Sequence, residues 1–321
     1  MKVRTPVEGD QTDQLEPSLR EFYSRLAADH ERYTAGREID IIERRRVAEL
    51  VREPWKAGGP QMANTTDLTV GKLQVPIRIH RPVADPSLPV LVYVHGGGWM
   101  LFSLDTHDRL MREYAARAGV TVVGVDYSLA PEAKFPRPIE ELVSVVRWLR
   151  SEGSTCGLAP SHLAIGGDSA GGNLAVATNL ALIEAGEVPL DAQILNYGAF
   201  DPDRRPSHDR FDGPDYNLTC AEMTDFWVNY LPPEAASNPL ARPLLADLKG
   251  MPPTFLCIAE CDILADENWE MVDALAKADV PVTVRSYQGA AHSFLEAVSI
   301  SPLADRALAE ASKWLSETLR K

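Results

Sequence analysis

The pentapeptide Gly167-Asp168-Ser169-Ala170-Gly171 constrains this chain more than any other stretch. Before it runs His162-Leu-Ala-Ile-Gly166, short and apolar, with the pattern of a buried strand. After it runs Gly172-Asn-Leu-Ala-Val-Ala-Thr-Asn-Leu-Ala-Leu-Ile183, with the pattern of a helix. A Gly-x-Ser-x-Gly turn between strand and helix thrusts the serine out of a sheet with its hydroxyl exposed. Glycines are needed on either side because a Cβ there would collide with neighbouring backbone. The bare pattern is weak evidence, and its strand-to-helix context is what gives it force.

The rest of the chain repeats that alternation. A strand pair is expected at 66–70 and 75–81 around Gly71-Lys72, followed by apolar strands at 89–95, 120–126, 163–166, 192–197, 254–259 and 282–287. Helical stretches lie between most of them, at 106–118, 137–152, 172–185 and 266–278, with a last helix at 303–319. Strands apolar on both faces that alternate with helices predict an α/β fold, a mostly parallel eight-stranded sheet with helices on both faces. At 321 residues the chain can bury one such domain with insertions, or two smaller ones.

Two segments stand outside the alternation. Residues 1–60 form a predicted helical cap arm, with Leu15, Leu19, Phe22, Tyr23 and Leu26 at helical spacing, then Ile39, Ile42, Val47 and Leu50. Pro54 and Gly58-Gly59-Pro60 break the pattern. Within the main domain, 61–321, an insertion at about 201–235 begins as a polar Pro-, Asp- and Arg-rich stretch and continues into a helix from Thr219 to Tyr230. It falls on the carboxyl-end side of the strands, where sites of α/β sheets lie, so arm and insertion are the expected lid. The strand at 282–287 is an expected sheet edge, and a homodimer through it is possible on that ground.

Composition excludes several partners. A formal charge of −14 disfavours nucleic acid. No run of about 18 apolar residues could span a membrane. Met1 to Asp10 lacks an apolar signal core, so a cytoplasmic location is the default expectation. The four cysteines, Cys156, Cys220, Cys257 and Cys261, include no C-x-x-C pair, which argues against a metal site and for buried free thiols.

A serine hydroxyl needs a base to take its proton, and the base needs an acid to hold its tautomer. With this turn the chain order is Ser, then acid, then His. Asp262 follows the strand at 254–259, and His292 lies in Gln288-Gly-Ala-Ala-His-Ser-Phe294 after the strand at 282–287. Glu260, Asp266 and Glu267 rival Asp262, but Asp266 and Glu267 open a helix, where carboxylates commonly serve as caps. His30, His107, His162 and His208 sit among polar residues and are expected at the surface. Asp168 is expected to fix the turn by hydrogen bonds, its side chain pointing away from the base. His95-Gly96-Gly97-Gly98-Trp99 follows a strand, and successive glycines let backbone N–H groups approach a developing oxyanion. Gly97, Gly98 and Ala170 are the expected donors. No Gly-Lys-Ser/Thr is present, so a phosphate loop does not fit.

With these residues in place, the chain resembles the hormone-sensitive-lipase-like (family IV) carboxylesterases of the α/β-hydrolase superfamily over residues 65–320. The resemblance rests on His95-Gly-Gly-Gly98, Asp126-Tyr-Ser-Leu-Ala-Pro-Glu132, Gly167-Asp-Ser-Ala-Gly-Gly-Asn173, Asp262-Ile-Leu264 with Asp266-Glu267, and His292. It implies the α/β-hydrolase fold with a helical cap, a Ser169–Asp262–His292 triad, the oxyanion donors already named, no cofactor, and small, short-chain esters as substrates. Three departures stand out. Ser128 replaces the arginine usual after Asp-Tyr and its ion pair. Phe102-Ser103 replaces a stretch that often holds glycine, and a ring there would narrow the cleft. Asp262-Ile-Leu replaces Asp-Pro-Leu.

The expected activity is ester hydrolysis through an acyl-enzyme. An amidase or deacetylase would use the same triad, and the sequence does not separate them. A non-catalytic ligand-binding protein on this scaffold is the alternative class, and the presence of His292 argues against it. Trp99, Phe102, Tyr197, Phe226, Trp227, Tyr230 and Phe294 are candidates to line the substrate pocket, with ordinary core packing the competing expectation for the aromatic residues.

Overall fold

A computed structural model describes residues 15–158 and 160–320. The first fourteen residues of the predicted arm, including the stretch read for a signal core, lie outside the described residues. The arm folds as two helices, α1 (Pro17–Thr34) and α2 (Ile41–Lys56), capped by the side chains of Glu16 and Asp40. Their apolar stripes face inward, and Phe22 meets Trp55 edge-on at 4.5 Å. Pro54 does not end α2. It sits in the last turn, and the chain leaves the helix only before Gly58-Gly59.

The sheet comprises β1 (Asn64–Val70), β2 (Val75–Arg81), β3 (Val90–Val94), β4 (Thr121–Val125), β5 (Leu163–Asp168), β6 (Ala192–Asn196), β7 (Thr254–Ala259) and β8 (Val282–Tyr287), in the order β1-β2-β4-β3-β5-β6-β7-β8. β1 and β2 form an antiparallel hairpin, β2 runs antiparallel to β4, and the remaining neighbours are parallel. Every residue of β3 to β7 is buried. Successive side chains point to opposite faces, so both faces are covered, which explains apolar runs without polar alternation. β8 is the half-exposed edge, where the sequence pattern puts it.

The covering helices are α3 (Asp108–Ala118), α4 (Arg137–Glu152), α5 (Ala170–Glu184), α8 (Ala265–Lys277) and α9 (Pro302–Thr318). Between β6 and β7 lie α6 (Pro206–Phe211) and α7 (Cys220–Tyr230). The polar stretch after residue 201 is therefore not all loop: Pro206 opens α6, and buried Phe211 anchors it. Cys257 and Cys261 are buried as expected, but Cys156 and Cys220 are only half-buried, because Cys156 ends a short helical turn and Cys220 opens α7.

The arm is tied to the sheet by polar contacts. Glu16 N–H donates to Gly289 O at 2.9 Å. Arg45 donates to the carbonyls of Met100 at 2.9 Å and Ala130 at 2.8 Å, and Ser103 Oγ donates to Glu49 at 2.7 Å. Arg44 joins Asp225 of α7 at 2.7 Å. Trp55, 6% exposed, packs edge-on against Phe22 between the two arm helices. Trp55→Ala should lower the unfolding free energy by about 3 kcal/mol in a urea titration. A loss below about 0.5 kcal/mol would mean that the arm is not part of the cooperative core.

Candidate active site

Ser169 sits between the last residue of β5 and the first of α5, with φ 53° and ψ −121°. A non-glycine residue with this backbone is strained. What forces it is the close approach of α5 to β3: a Cβ on Gly171 would run into the Val94 carbonyl. The turn is held by Ser169 N–H donating to Asn196 O at 2.9 Å and by Ala199 N–H donating to Ser169 O at 3.1 Å.

The carboxyl ends of β3, β5, β7 and β8 converge at this edge. Cys261 N–H donates to Ala290 O at 2.8 Å, so the loops after β7 and β8 are stitched together. This brings His292 Nε2 to 2.9 Å from Ser169 Oγ and His292 Nδ1 to 2.7 Å from Asp262 Oδ2. A carboxylate can only accept, so Nδ1 carries the proton and Nε2 of the neutral ring accepts from the hydroxyl. The other oxygen, Asp262 Oδ1, accepts from Leu264 N–H at 3.0 Å. Burial works to lower the His292 pKa, but the charge of Asp262 and its hydrogen bond, helped by Asp168 and Glu296, hold it above the ordinary 6.5.

Of the rival carboxylates, Asp266 and Glu267 have other partners, and Glu260 makes no hydrogen bond to His292. Asp266 accepts from Ser207 N–H at 2.8 Å, and Glu267 accepts from Phe200 N–H at 2.6 Å, both holding the start of the insertion. Asp168 points away from the histidine, as expected. It accepts from Tyr93 Oη at 2.8 Å and faces His107 Nε2 at 3.2 Å. His107 and His208 are not surface residues. Both are buried: His107 completes this pair, and His208 turns its Nδ1 inward to accept Arg205 N–H at 3.2 Å at the start of α6. The burial of His107 works against its charge, yet Asp168 raises its pKa. Burial also works to raise the Asp168 pKa, and His107 and Tyr93 bring it below the usual carboxylate value.

Gly97 and Gly98 have positive φ, 105° and 59°. A Cβ on Gly98 would strike the Phe226 ring. Among the described residues, no protein acceptor takes the N–H of Gly97, Gly98 or Ala170; Ala170 opens α5, where N–H groups have no intrahelical partner. Ser128 donates to Glu141 through both its N–H and its hydroxyl, at 2.7 Å each. Arg137 makes the ion pair to the same carboxylate at 2.7 Å, so an arginine one helix turn away serves where the resemblance has one after the tyrosine.

A cavity of about 360 Å³ opens on Ser169, His292, Gly97 and Gly98. Its walls come from α1 (Tyr23, Leu26), α2 (Arg44, Val51, Arg52), Phe102, and the insertion (Asn217, Leu218, Phe226). Of the aromatic candidates, Phe102 and Phe226 line it. Trp99, Tyr197, Trp227, Tyr230 and Phe294 do not. Trp99 stacks on Tyr230 at 4.3 Å and meets Trp227 at 4.5 Å, forming a support under the oxyanion loop. Tyr197 packs edge-on to the His292 ring at 5.2 Å and meets Phe294 at 5.8 Å. Sequence reasoning missed Tyr93, Asn217, whose amide donates to His292 O at 3.2 Å, and Arg52. Tyr93 is legible as the polar-tipped residue of an otherwise aliphatic strand; nothing in the local pattern marks the other two.

Residues 91–296 match a family model described as alpha/beta hydrolase fold. The chain belongs to that family. Within the α/β hydrolases its motifs put it with the hormone-sensitive-lipase-like group. Among solved structures, it is similar to an esterase of Pyrobaculum calidifontis, with 31% identity over 94% of this chain and 98% of that one and a TM-score of 0.86. It is similar to an α/β hydrolase from the metagenome of Lake Arreo, Spain, crystallised as a serine-to-alanine mutant (30% identity, 97% and 100% covered, TM-score 0.88). It is also similar to a thermophilic carboxylesterase cloned from a metagenomic library (30% identity, 88% and 99% covered, TM-score 0.85).

An NMR titration of the His292 imidazole should give a pKa above 6.5. Asp262→Asn should move it down, since burial then acts unopposed by the carboxylate charge. A midpoint that stays put in the variant would show that Asp262 does not set it.

Proposed function

We propose that this chain is a serine carboxylesterase that hydrolyses small, short-chain carboxylic esters through an acyl-enzyme intermediate. The observation that carries this is the continuous hydrogen-bonded path from Ser169 through His292 to Asp262 at the floor of a cavity. Ser169 attacks the ester carbonyl while His292 Nε2 takes its proton, and Asp262 stabilises the imidazolium. The N–H groups of Gly97, Gly98 and Ala170 receive the charge that builds on the carbonyl oxygen, with the positive end of α5 adding to them. His292 then hands the proton to the departing alcohol, and water repeats the sequence on the acyl group.

Arm (1–60) and insertion (201–235) act together as the cap. A cavity near the small end of the usual range supports small substrates, and the esterases among the similar structures favour an ester over an amide leaving group. The departure at Phe102 supports short acyl chains: its ring lies against Gly97 and takes up cavity space that a glycine would leave open.

Ser169→Ala should cut turnover of p-nitrophenyl butyrate by about 10⁶-fold with an unchanged circular dichroism spectrum. A rate near the parent's would reject the mechanism. Phe102 has φ 71°, a conformation that suits glycine. Phe102→Gly should therefore fold, and should raise kcat/KM for a decanoate relative to a butyrate by about tenfold. An unchanged ratio would show that the ring does not limit acyl length.

A further inference from the structure

Arg52 reaches the cavity from α2 with its guanidinium only partly used. The residue is 9% exposed. Its Nε lies 2.9 Å from Glu296 Oε2, an oblique charge contact rather than an aligned hydrogen bond. Its Cζ sits 3.9 Å from the centroid of the Phe102 ring, a stacking distance that holds the guanidinium plane. Among the described residues none accepts a hydrogen bond from either terminal nitrogen, and, unlike Nε, neither is fully buried. A stack thus runs from Gly97 through Phe102 to Arg52, with free N–H donors at the cavity that also holds Ser169.

Glu296 decides what those donors can take. Its carboxylate already compensates the guanidinium, and Asp262 adds a second negative charge at the same end of the fold. A substrate carboxylate would bring a further anion to a guanidinium already shared with Glu296, and the other arginine of the walls, Arg44, is itself paired with Asp225. An uncharged oxygen accepts from the terminal nitrogens without that repulsion. We infer that Arg52, set by Phe102 and Glu296, forms a polar subsite for an uncharged acceptor oxygen, such as a ketone, amide or ether, on the acyl or alcohol arm of the ester. The preferred substrates are then oxygenated esters rather than plain alkyl esters. This rests on the esterase reading above and adds a specificity that the triad does not supply.

The test uses matched pairs that differ by one oxygen: p-nitrophenyl 4-oxopentanoate against p-nitrophenyl pentanoate, and 4-oxopentyl butyrate against pentyl butyrate, each corrected for uncatalysed hydrolysis. In the parent enzyme kcat/KM for the oxygenated member of at least one pair should be about tenfold higher, the scale of one hydrogen bond to a charged donor. Arg52→Met alone would strand the buried Glu296 charge, so Arg52→Met/Glu296→Gln is made beside it. In the double variant the ratio should fall to near one while Ser169 still labels with a fluorophosphonate. Ratios near one for both pairs in the parent, or a ratio that survives the double variant, overturn the proposal alone. A p-nitrophenyl hemisuccinate turned over faster than the oxopentanoate overturns the uncharged ligand class. A parent that neither labels nor cleaves any of these esters overturns the esterase reading and this subsite with it.

Discussion

The fold's chemistry depends on a single backbone approach, the N-terminus of α5 pressed against the end of β3 where Gly171 meets the Val94 carbonyl. Because no Cβ intervenes, the helix begins at the very edge of the sheet. The residue linking strand to helix must then adopt a backbone that costs of order 1–3 kcal/mol. That residue is Ser169, and the hydrogen bonds to Asn196 and from Ala199 hold it there. Strain, exposure of the hydroxyl and an unpaired helix N-terminus beside it are thus one feature seen from three sides.

Two histidine–carboxylate pairs flank that turn, and they divide the work. Asp168 and Ser169 are adjacent, so their side chains leave the strand end in opposite directions. Asp168 goes down to His107 and Tyr93 and closes the turn from beneath. Ser169 goes up to His292, which is backed by Asp262. In both histidines burial opposes the charged ring and the carboxylate prevails. His95 shows the contrast: buried with only the Gly96 carbonyl at 2.8 Å, and beside His107, it falls to about 3 and stays neutral. Burial is common to all three, and a hydrogen-bonded carboxylate decides which way the pKa moves.

Much of this was legible from residue order. The strands are apolar on both faces, so their number and covering helices followed from uninterrupted runs such as Val90–Val94. Gly-x-Ser-x-Gly and His-Gly-Gly-Gly carry backbone constraints that only a few side chains satisfy, so Ser169, Gly97 and Gly98 stood out, and chain order selected Asp262 and His292; the fold brings His292 within hydrogen-bonding distance of both Asp262 and Ser169. The cavity walls were not legible. Trp99 and Phe102 lie three residues apart in one loop, yet one stacks inward on Tyr230 and the other faces the cavity. Local pattern does not distinguish them, because the partner that decides lies more than a hundred residues away in α7. His107 was misread for a similar reason: its polar neighbours suggested water, and the buried carboxylate that retains it, Asp168, comes from the end of β5.

The walls also differ from the floor in how they are attached. The floor is built from strand ends locked by sheet hydrogen bonds, whereas α2 is joined to it by side-chain contacts such as Arg45 to the carbonyls of Met100 and Ala130. Carbonyl acceptors are present whatever residue bears them, so this part of the joint does not depend on the side chains at 100 and 130. Divergence can therefore rewrite what the enclosure selects while the reacting groups stand still. Such a separation lets one inherited reaction centre be fitted, over evolutionary time, to many different esters.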